Sequence, residues 1–243
     1  LTRSMEEGIN LLKVLRASPN PSFLLGYTYR WWEPLRKFRD WIKNGKVGQP
    51  LHAKFVMSAH LADWHPWERY QDFFMASKDL GGGALLDESH FVDLMLWFFG
   101  MPESLYSRVE KLSNLEIETD DNVDILFVYK SGLRVSIHLD LYGRPHEKYI
   151  LVTGDGCSAQ WSFSPNNIKF SNSIDQEWEE ERFNFERNDM FISAAREFLD
   201  LINNNTKPTC TLIEGVQVMK ILEACRISSL EERTVRLDEI NIE

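Results

Sequence analysis

The sequence contains few cysteines, no long hydrophobic run and no excess of basic residues. Its three cysteines are odd in number and lack metal-type spacing, which favours reduced thiols in the cytoplasm over a disulfide framework. The longest apolar run, residues 94–99, is far shorter than the roughly 20 residues of a membrane span. Lysine and arginine total 27 against 37 acidic residues, and this net charge of −10 argues against nucleic acid or an anionic membrane as partner.

What the sequence does contain is ample apolar surface. Hydrophobic residues make up 43% of the chain and aromatic residues 12%, enough for a sizeable core in a globular protein. A length of 243 residues fits one domain plus a fragment. The sequence shows no internal repeat and no low-complexity tract, so a repeat architecture is excluded.

The first 30 residues are typical of the end of an α/β unit. Ser4 and Glu7 have the spacing of a capping box at the start of an amphipathic helix. The nearly continuous apolar run Phe23–Tyr27 then predicts a strand buried on both faces. We therefore expect the sequence to begin inside a larger architecture.

The remaining residues predict an α+β domain with a large, mainly antiparallel open β-sheet and helices packed on one face. Helices are expected from Pro34 to Asn44, over 85–99, over 188–203 and over 213–228. A first strand covers 52–62. Later strands are expected at 102–112, 122–130, 133–143, 147–153, 158–164, 167–172 and 178–185, as antiparallel neighbours in a meander.

The segment from Gly81 to Gly100 has the strongest functional signal. Its three successive glycines allow close backbone approach to a ligand or to another chain segment. Asp87, His90 and Asp93 follow at three-residue steps, which on one continuous helix makes each a neighbour of the next. A buried imidazole beside a carboxylate suits proton transfer. The alternative is that Asp87 caps the helix and His90 is a core histidine.

The aromatic loop over 64–80 is a second candidate. Trp64 and His65 offer flat rings beside polar groups, which suits a sugar, although such loops also cover cores. His60, Asp63 and His65 match no metal-ligand spacing, so no metal site is expected. The glycines at 154 and 156 imitate a dinucleotide fingerprint, but the strand-like alternation after them predicts a hairpin turn.

Several of these segments together resemble the C-terminal part of the Gfo/Idh/MocA oxidoreductases, the glucose–fructose oxidoreductase and inositol dehydrogenase family. The resemblance spans nearly the whole sequence, and its most specific segment runs from Gly81 to Asp93. Weaker matches are Gly26-Tyr27 through Arg30 and Pro34, Ile42 to Gly48, Thr119 to Asn122, and Arg187-Asn188.

The resemblance implies a set of roles. His90 would be the acid/base and Asp87 its partner or a ligand of a substrate hydroxyl. The family separates its Asp and His by four residues more commonly than by the three found here. Further residues implied at the site are Arg30, Trp64, His65 and Asp93 for the substrate, and Gly82 and Gly83 for the cofactor. The substrate would be a small-molecule sugar or nucleotide sugar.

The resemblance also implies a division of the chain. Residues 1–30 would be the last helix and strand of an N-terminal Rossmann domain, and 31–243 the substrate-binding, catalytic and oligomerisation domain. NAD or NADP would be held in the full-length parent; we expect none bound to this chain, which alone would be inactive.

The alternative is a non-catalytic module that dimerises through the sheet face carrying His60 and His138. The enzymatic interpretation requires His90 and Asp87 to open onto a cavity shared with Trp64 and the glycine run.

Overall fold

A single nine-stranded sheet forms one layer of the molecule. The computed structural model describes residues 1–18, 23–171, 177–204 and 206–241. The strands are β1 (Pro50–Ser58), β2 (Ser104–Glu110), β3 (Asn122–Val128), β4 (Arg134–Asp140), β5 (Glu147–Gly154), β6 (Ser158–Ser162), β7 (Asn167–Ser171), β8 (Glu179–Arg182) and β9 (Val235–Arg236). Their order across the sheet is β8-β7-β6-β5-β1-β4-β3-β2-β9.

Helices form the second layer, on one face of the sheet. They are α1 (Met5–Ala17), α2 (Glu33–Lys43), the single turn α3 (Ala84–Asp87), α4 (His90–Phe99), α5 (Arg187–Asn204) and α6 (Leu212–Glu231). α4 contacts β1, α6 contacts β2, and α2 contacts β6 and β7. The predicted α+β class, with a mainly antiparallel open sheet and helices on one face, is confirmed.

The core lies between these layers because alternate strand residues point toward the helices. The inward residues are Ala53, Phe55 and Met57 of β1, Val123, Ile125 and Phe127 of β3, Val135, Ile137 and Leu139 of β4, and Ile150 and Val152 of β5; all are buried. The opposite face carries polar and mixed residues and has no covering layer within the described chain.

The meander predicted for the second half is interrupted. β1 lies between β4 and β5, parallel to β4 and antiparallel to β5, so these two strands are not neighbours. Its apolar face fits there because Phe55 pairs with Ile137 on one side and Ile150 on the other. The predicted hairpin turn at Gly154–Gly156 is present between β5 and β6.

The N-terminal helix begins as its sequence predicts. The Ser4 hydroxyl accepts a hydrogen bond from the Glu7 amide at 3.3 Å. Residues 23–27, expected as a strand, pair with no described strand; the Leu25 amide instead donates to the Cys210 carbonyl. Residues 19–22 and the last residue of the predicted strand 167–172 lie outside the described residues.

All three cysteines are free. Among the described residues, no helix has both the length and the apolarity needed to cross a membrane.

Candidate active site

The site is built where the chain leaves the glycine run. α3 begins at Ala84, whose amide donates to the Asp120 carbonyl, while the Leu85 amide donates to the Asp120 carboxylate at 2.8 Å. α3 ends after one turn, and the chain restarts as α4 at His90. The single helix predicted over 85–99 is therefore wrong: it is broken at Glu88–Ser89, and Asp87 and His90 lie on two separate helical segments.

His90 is the first residue of α4 and is held by two tyrosine rings. Tyr27 and Tyr29 meet its ring edge to face, with centroids 5.3 and 5.5 Å away. The Nδ1 atom is buried and has no hydrogen-bond partner among the described residues. Burial, together with the positive charge of Lys148, lowers the pKa of His90 to about 4, so the imidazole is neutral at pH 7.

Two carboxyl groups lie beside this histidine. Asp87 is partly buried and Glu88 is buried, with 4% of its surface exposed. Burial and the nearby charge of Glu88, partly offset by Lys148, raise the pKa of Asp87 to about 7. Burial also raises the pKa of Glu88, while Lys148 opposes that rise. Within the described residues neither carboxyl group accepts a side-chain hydrogen bond, and none links Asp87 to His90.

Lys148, on β5, supplies a positive charge to this group. Its Nζ donates a hydrogen bond to the Tyr29 hydroxyl at 3.1 Å and lies 6.0 Å from the centre of the Trp64 ring. Burial alone would lower the pKa of Lys148, but the negative charge of Glu88, the contact with Tyr29 and the charge of Asp87 outweigh it and raise the pKa. The lysine is therefore charged at neutral pH.

An open cavity of about 370 Å³ reaches this group. Its lining includes His90, Asp87 and Gly81, together with Tyr27 and Leu1. The cavity thus joins His90, Asp87 and the glycine run, which meets one part of what the enzymatic interpretation requires. The other part is not met, because Trp64 is not part of this lining and lies on the Lys148 side of the site.

Arg30 and Asp93, predicted to contact the substrate, form a buried salt bridge instead. Their side chains are 1% and 0% exposed, and two hydrogen bonds of 2.9 and 2.7 Å join them. A second salt bridge joins Arg30 to Glu214 at 2.6 Å. The groups of Arg30 and Asp93 that would bind a ligand are thus paired out of reach of solvent, and this pairing does not support a substrate-binding role for either residue.

The two candidate residues of the aromatic loop, Trp64 and His65, have different surroundings. Trp64 is partly buried near Lys148, and its Nε1 is buried with no partner in the part of the chain that is described. His65 is exposed and stacks on Trp67 at 5.4 Å, outside the cavity lining. Substrate binding by His65 and by Trp64 stays a prediction, since neither residue lines this cavity. His60 and Asp63 have separate partners, the Ala62 amide and Arg144.

Gly82 and Gly83 are required by the packing of the chain itself. A Cβ atom at Gly82 would lie 2.4 Å from the carbonyl oxygens of Phe74 and Met75, and one at Gly83 would lie 2.4 Å from the Asp120 carboxylate. Gly83 also has φ of 107°, a conformation that favours glycine. Close approach to other parts of the chain therefore accounts for both glycines, and their role in cofactor binding stays a prediction.

The arrangement can accept or give up one proton next to a cavity. The neutral imidazole offers a nitrogen without a partner, and the carboxyl groups and ammonium offer hydrogen-bond sites for hydroxyl groups. Three residues of this site, Glu88, Tyr29 and Lys148, were not identified from the sequence. A signal for Lys148 was present, since it shares the inward face of β5 with Ile150 and Val152, where a lysine needs a partner.

Comparison with known proteins agrees with this fold. The family model described as the GFO/IDH/MocA C-terminal domain matches residues 35–160, about half of the chain. No curated protein matches the chain.

Several solved structures share the architecture. A levoglucosan dehydrogenase in complex with NADH and levoglucosan has a TM-score of 0.84 at 16% identity, over 97% of this chain and 71% of that one. The WlbA dehydrogenase from Bordetella pertussis, with NADH and UDP-GlcNAcA, has a TM-score of 0.75 at 18% identity, over 97% and 69%. An aldose-aldose oxidoreductase from Caulobacter crescentus, with glycerol, has a TM-score of 0.82 at 13% identity, over 97% and 69%.

Proposed function

The chain belongs to the GFO/IDH/MocA family, and on this premise we propose that it is the substrate-binding and catalytic domain of an NAD(P)-dependent oxidoreductase. The substrate is a sugar, a cyclitol or a nucleotide sugar, which reacts at a hydroxyl or carbonyl group by hydride transfer. The observation that carries the proposal is the buried Nδ1 atom of His90, which has no hydrogen-bond partner in the described part of the chain, in a ring that lines an open cavity.

His90 transfers the proton in this proposal. When a secondary alcohol is oxidised, its carbon loses a hydride and its hydroxyl loses a proton, and the neutral imidazole accepts that proton. In the reverse direction the protonated ring returns it to the carbonyl oxygen. Asp87, on the same cavity, binds a neighbouring hydroxyl group. When bound, NAD or NADP supplies the hydride acceptor or donor.

The dinucleotide is assigned to a different part of the protein. Residues 1–30 are proposed to be the last helix and strand of a Rossmann domain whose earlier part lies upstream of Leu1. This placement agrees with the packing of Gly82 and Gly83, at which an added Cβ atom would meet other atoms of this chain. We therefore expect this chain alone neither to bind NAD(P) tightly nor to turn over. The three free cysteines fit a reducing compartment, in agreement with a cytoplasmic location.

The proposal is tested with His90→Ala in the longer protein that includes the upstream domain. Hydride transfer, followed by NADH absorbance, is expected to fall by about a hundredfold or more because the proton acceptor is lost. Cofactor affinity, measured by NADH fluorescence, is expected to stay unchanged. The matched control is His52→Ala, an exposed histidine of β1, which is expected to keep full activity. Undiminished turnover in His90→Ala would refute the role of this residue.

A second role is favoured by the uncovered face of the sheet, which we propose joins two copies of the chain. Toward the β9 edge of this face, Tyr106 of β2 pairs with Leu126 of β3, and both are exposed, at 39% and 47%. His138, on the same face, contacts Asp124 at 2.7 Å and Asp140 at 3.0 Å. A face that carries apolar residues and charges of both signs suits a two-fold contact with itself.

A further inference from the structure

Lys148 has contacts that the proposed proton transfer does not use. Its ammonium group lies 5.8 Å from the ring centres of Tyr29 and Phe163 and 6.0 Å from that of Trp64. Such a cation among aromatic rings is desolvated, so its electrostatic effect on neighbouring groups exceeds that of a surface lysine. The described residues provide one hydrogen-bond acceptor for it, the Tyr29 hydroxyl.

The hydrogen bond to Tyr29 connects Lys148 to His90. The Tyr29 ring stands at 90° to the imidazole, with 5.5 Å between the centroids. Tyr29 is 7% exposed and also packs against Phe91 and Trp161, so its ring has little freedom to move. Because the Lys148 ammonium holds the Tyr29 hydroxyl, it also limits where the edge of the His90 ring can lie.

Charge connects the same residues a second time. The titratable groups that act on or contact His90 and Lys148 come from five places: Asp87 and Glu88 at the end of α3, Tyr27 and Tyr29 before α2, Lys148 on β5, His146 just before β5, and the amine of Leu1. Glu88 and Asp87 contribute negative charge, and Lys148 contributes positive charge. Without Lys148, the two carboxyl groups would face the imidazole with little to balance them.

We propose that Lys148 is a positioning residue of this site: it holds Tyr29 against the His90 ring and places a positive charge among His90, Asp87 and Glu88. This inference rests on the proposed function of His90. It assigns no contact between Lys148 and the reacting atoms. Lys148 acts by holding the proton-transferring group in one orientation and one charge state.

The first test is an NMR titration of His90 in the 243-residue chain, with ring carbons labelled and the signal assigned by His90→Gln. In Lys148→Met, which keeps the apolar stem, the His90 pKa is expected to rise from about 4 to about 5 or above, because a repelling charge is gone. Lys148→Arg is expected to keep the low value. The control is Lys54→Met, an exposed lysine that also lies 5.8 Å from a tyrosine ring. An unchanged His90 titration in Lys148→Met overturns the proposal.

A second measurement uses the unmodified chain, so that it decides the question even if Lys148→Met does not fold. The side-chain signals of Lys148 are expected to shift as Asp87 ionises near pH 7. Signals that stay flat between pH 5 and 9 contradict the proposed charge group.

Kinetics of the longer protein separate this inference from the function beneath it. Lys148→Met is expected to lower kcat by about tenfold or more with a smaller effect on KM, because orientation of the acid/base group is lost. Lys148→Arg is expected to recover part of this loss. Absence of hydride transfer in the unmodified protein would refute the proposed function, whereas the NMR titrations would still decide the position of Lys148.

Discussion

Arg30, Asp93 and Glu214 form a charged group directly beneath the candidate site. Burial raises the pKa of Asp93 more than the hydrogen bonds and charge of Arg30 lower it, and the net pKa of about 6 leaves the carboxylate ionised at neutral pH. Arg30 also donates to the Thr209 carbonyl and thereby ties α4 to the segment before α6. The role of this group is to hold elements together rather than to bind a ligand.

Arg30→Met is expected to destabilise the chain by about 3–5 kcal/mol at pH 7, because it leaves the Asp93 carboxylate buried without its cation. The loss of folding free energy is expected to be smaller at pH 5 than at pH 8. Without Arg30, the folded-state pKa of Asp93 rises further above its unfolded value, so at low pH the carboxylate is protonated and no unpaired charge is buried. Urea unfolding at the two pH values measures both effects.

The matched control is Arg39→Met. Arg39 lies 4.3 Å from the Trp97 ring and donates to the Trp97 carbonyl, but its side chain has no carboxylate within salt-bridge distance in the described structure. Its loss is expected to cost less than about 1 kcal/mol. Equal costs for Arg30→Met and Arg39→Met would show that the buried salt bridge does not stabilise the fold.

At the scale of elements, the glycine run determines where α3 begins. Gly82 lies against the carbonyl oxygens of Phe74 and Met75, and the Gly83 amide donates to the Met75 carbonyl at 3.1 Å. The run therefore packs the loop over 74–76 against the start of α3. Any displacement here would also move Asp87, which is the last residue of that turn.

Gly82→Ala is expected to destabilise the chain by about 2–3 kcal/mol, because its Cβ would overlap backbone atoms that cannot move aside as a side chain can. Thermal unfolding monitored by circular dichroism measures the change. Gly26→Ala is the control, since a Cβ at Gly26 has no atom within 4 Å. Unchanged stability in Gly82→Ala, together with weaker cofactor binding in the longer protein, would support the predicted cofactor role of Gly82 instead of a packing role.

These elements also show how far local pattern predicts structure. The alternation in 122–128 and 134–140 is a local property, so it predicted both strands and their inward faces. The position of β1 was not predictable in the same way, because its partners are separated from it by 82 to 104 residues and alternation does not encode a partner. The start of α3 likewise depends on a distant residue, Asp120, which lies 35 positions after Leu85. Lys148 also lies at the site because of this long-range pairing of β1 with β5, in which it is opposite Met57.

At the scale of the whole molecule, the two faces of the sheet have different roles. One face is covered by α2, α4 and α6 and carries the candidate site at its edge. The other exposes a continuous row across the paired strands, formed by Tyr106 of β2, Leu126 of β3, Ser136 of β4 and Lys54 of β1. The neighbouring row contains Asp124 and His138. An antiparallel sheet tolerates water on such a face, so exposure alone does not require a partner.

Two copies of this face can nevertheless meet without burying charges of one sign. A two-fold axis through the sheet centre would place the apolar pair Tyr106 and Leu126 of one copy against the polar rows of the other, with basic residues such as Lys54 and acidic residues such as Asp124 able to pair across it.

The unmodified chain is expected to sediment as a dimer at micromolar concentration, and Leu126→Glu is expected to sediment as a monomer. Leu230→Glu places the same charge on α6, at a leucine that is 85% exposed on the helical side, and should leave the dimer intact. Because the two variants add equal charge, general repulsion between chains that already carry −10 would weaken both, whereas a specific contact through the sheet weakens only Leu126→Glu. A monomer in the unmodified chain at high concentration would refute this association.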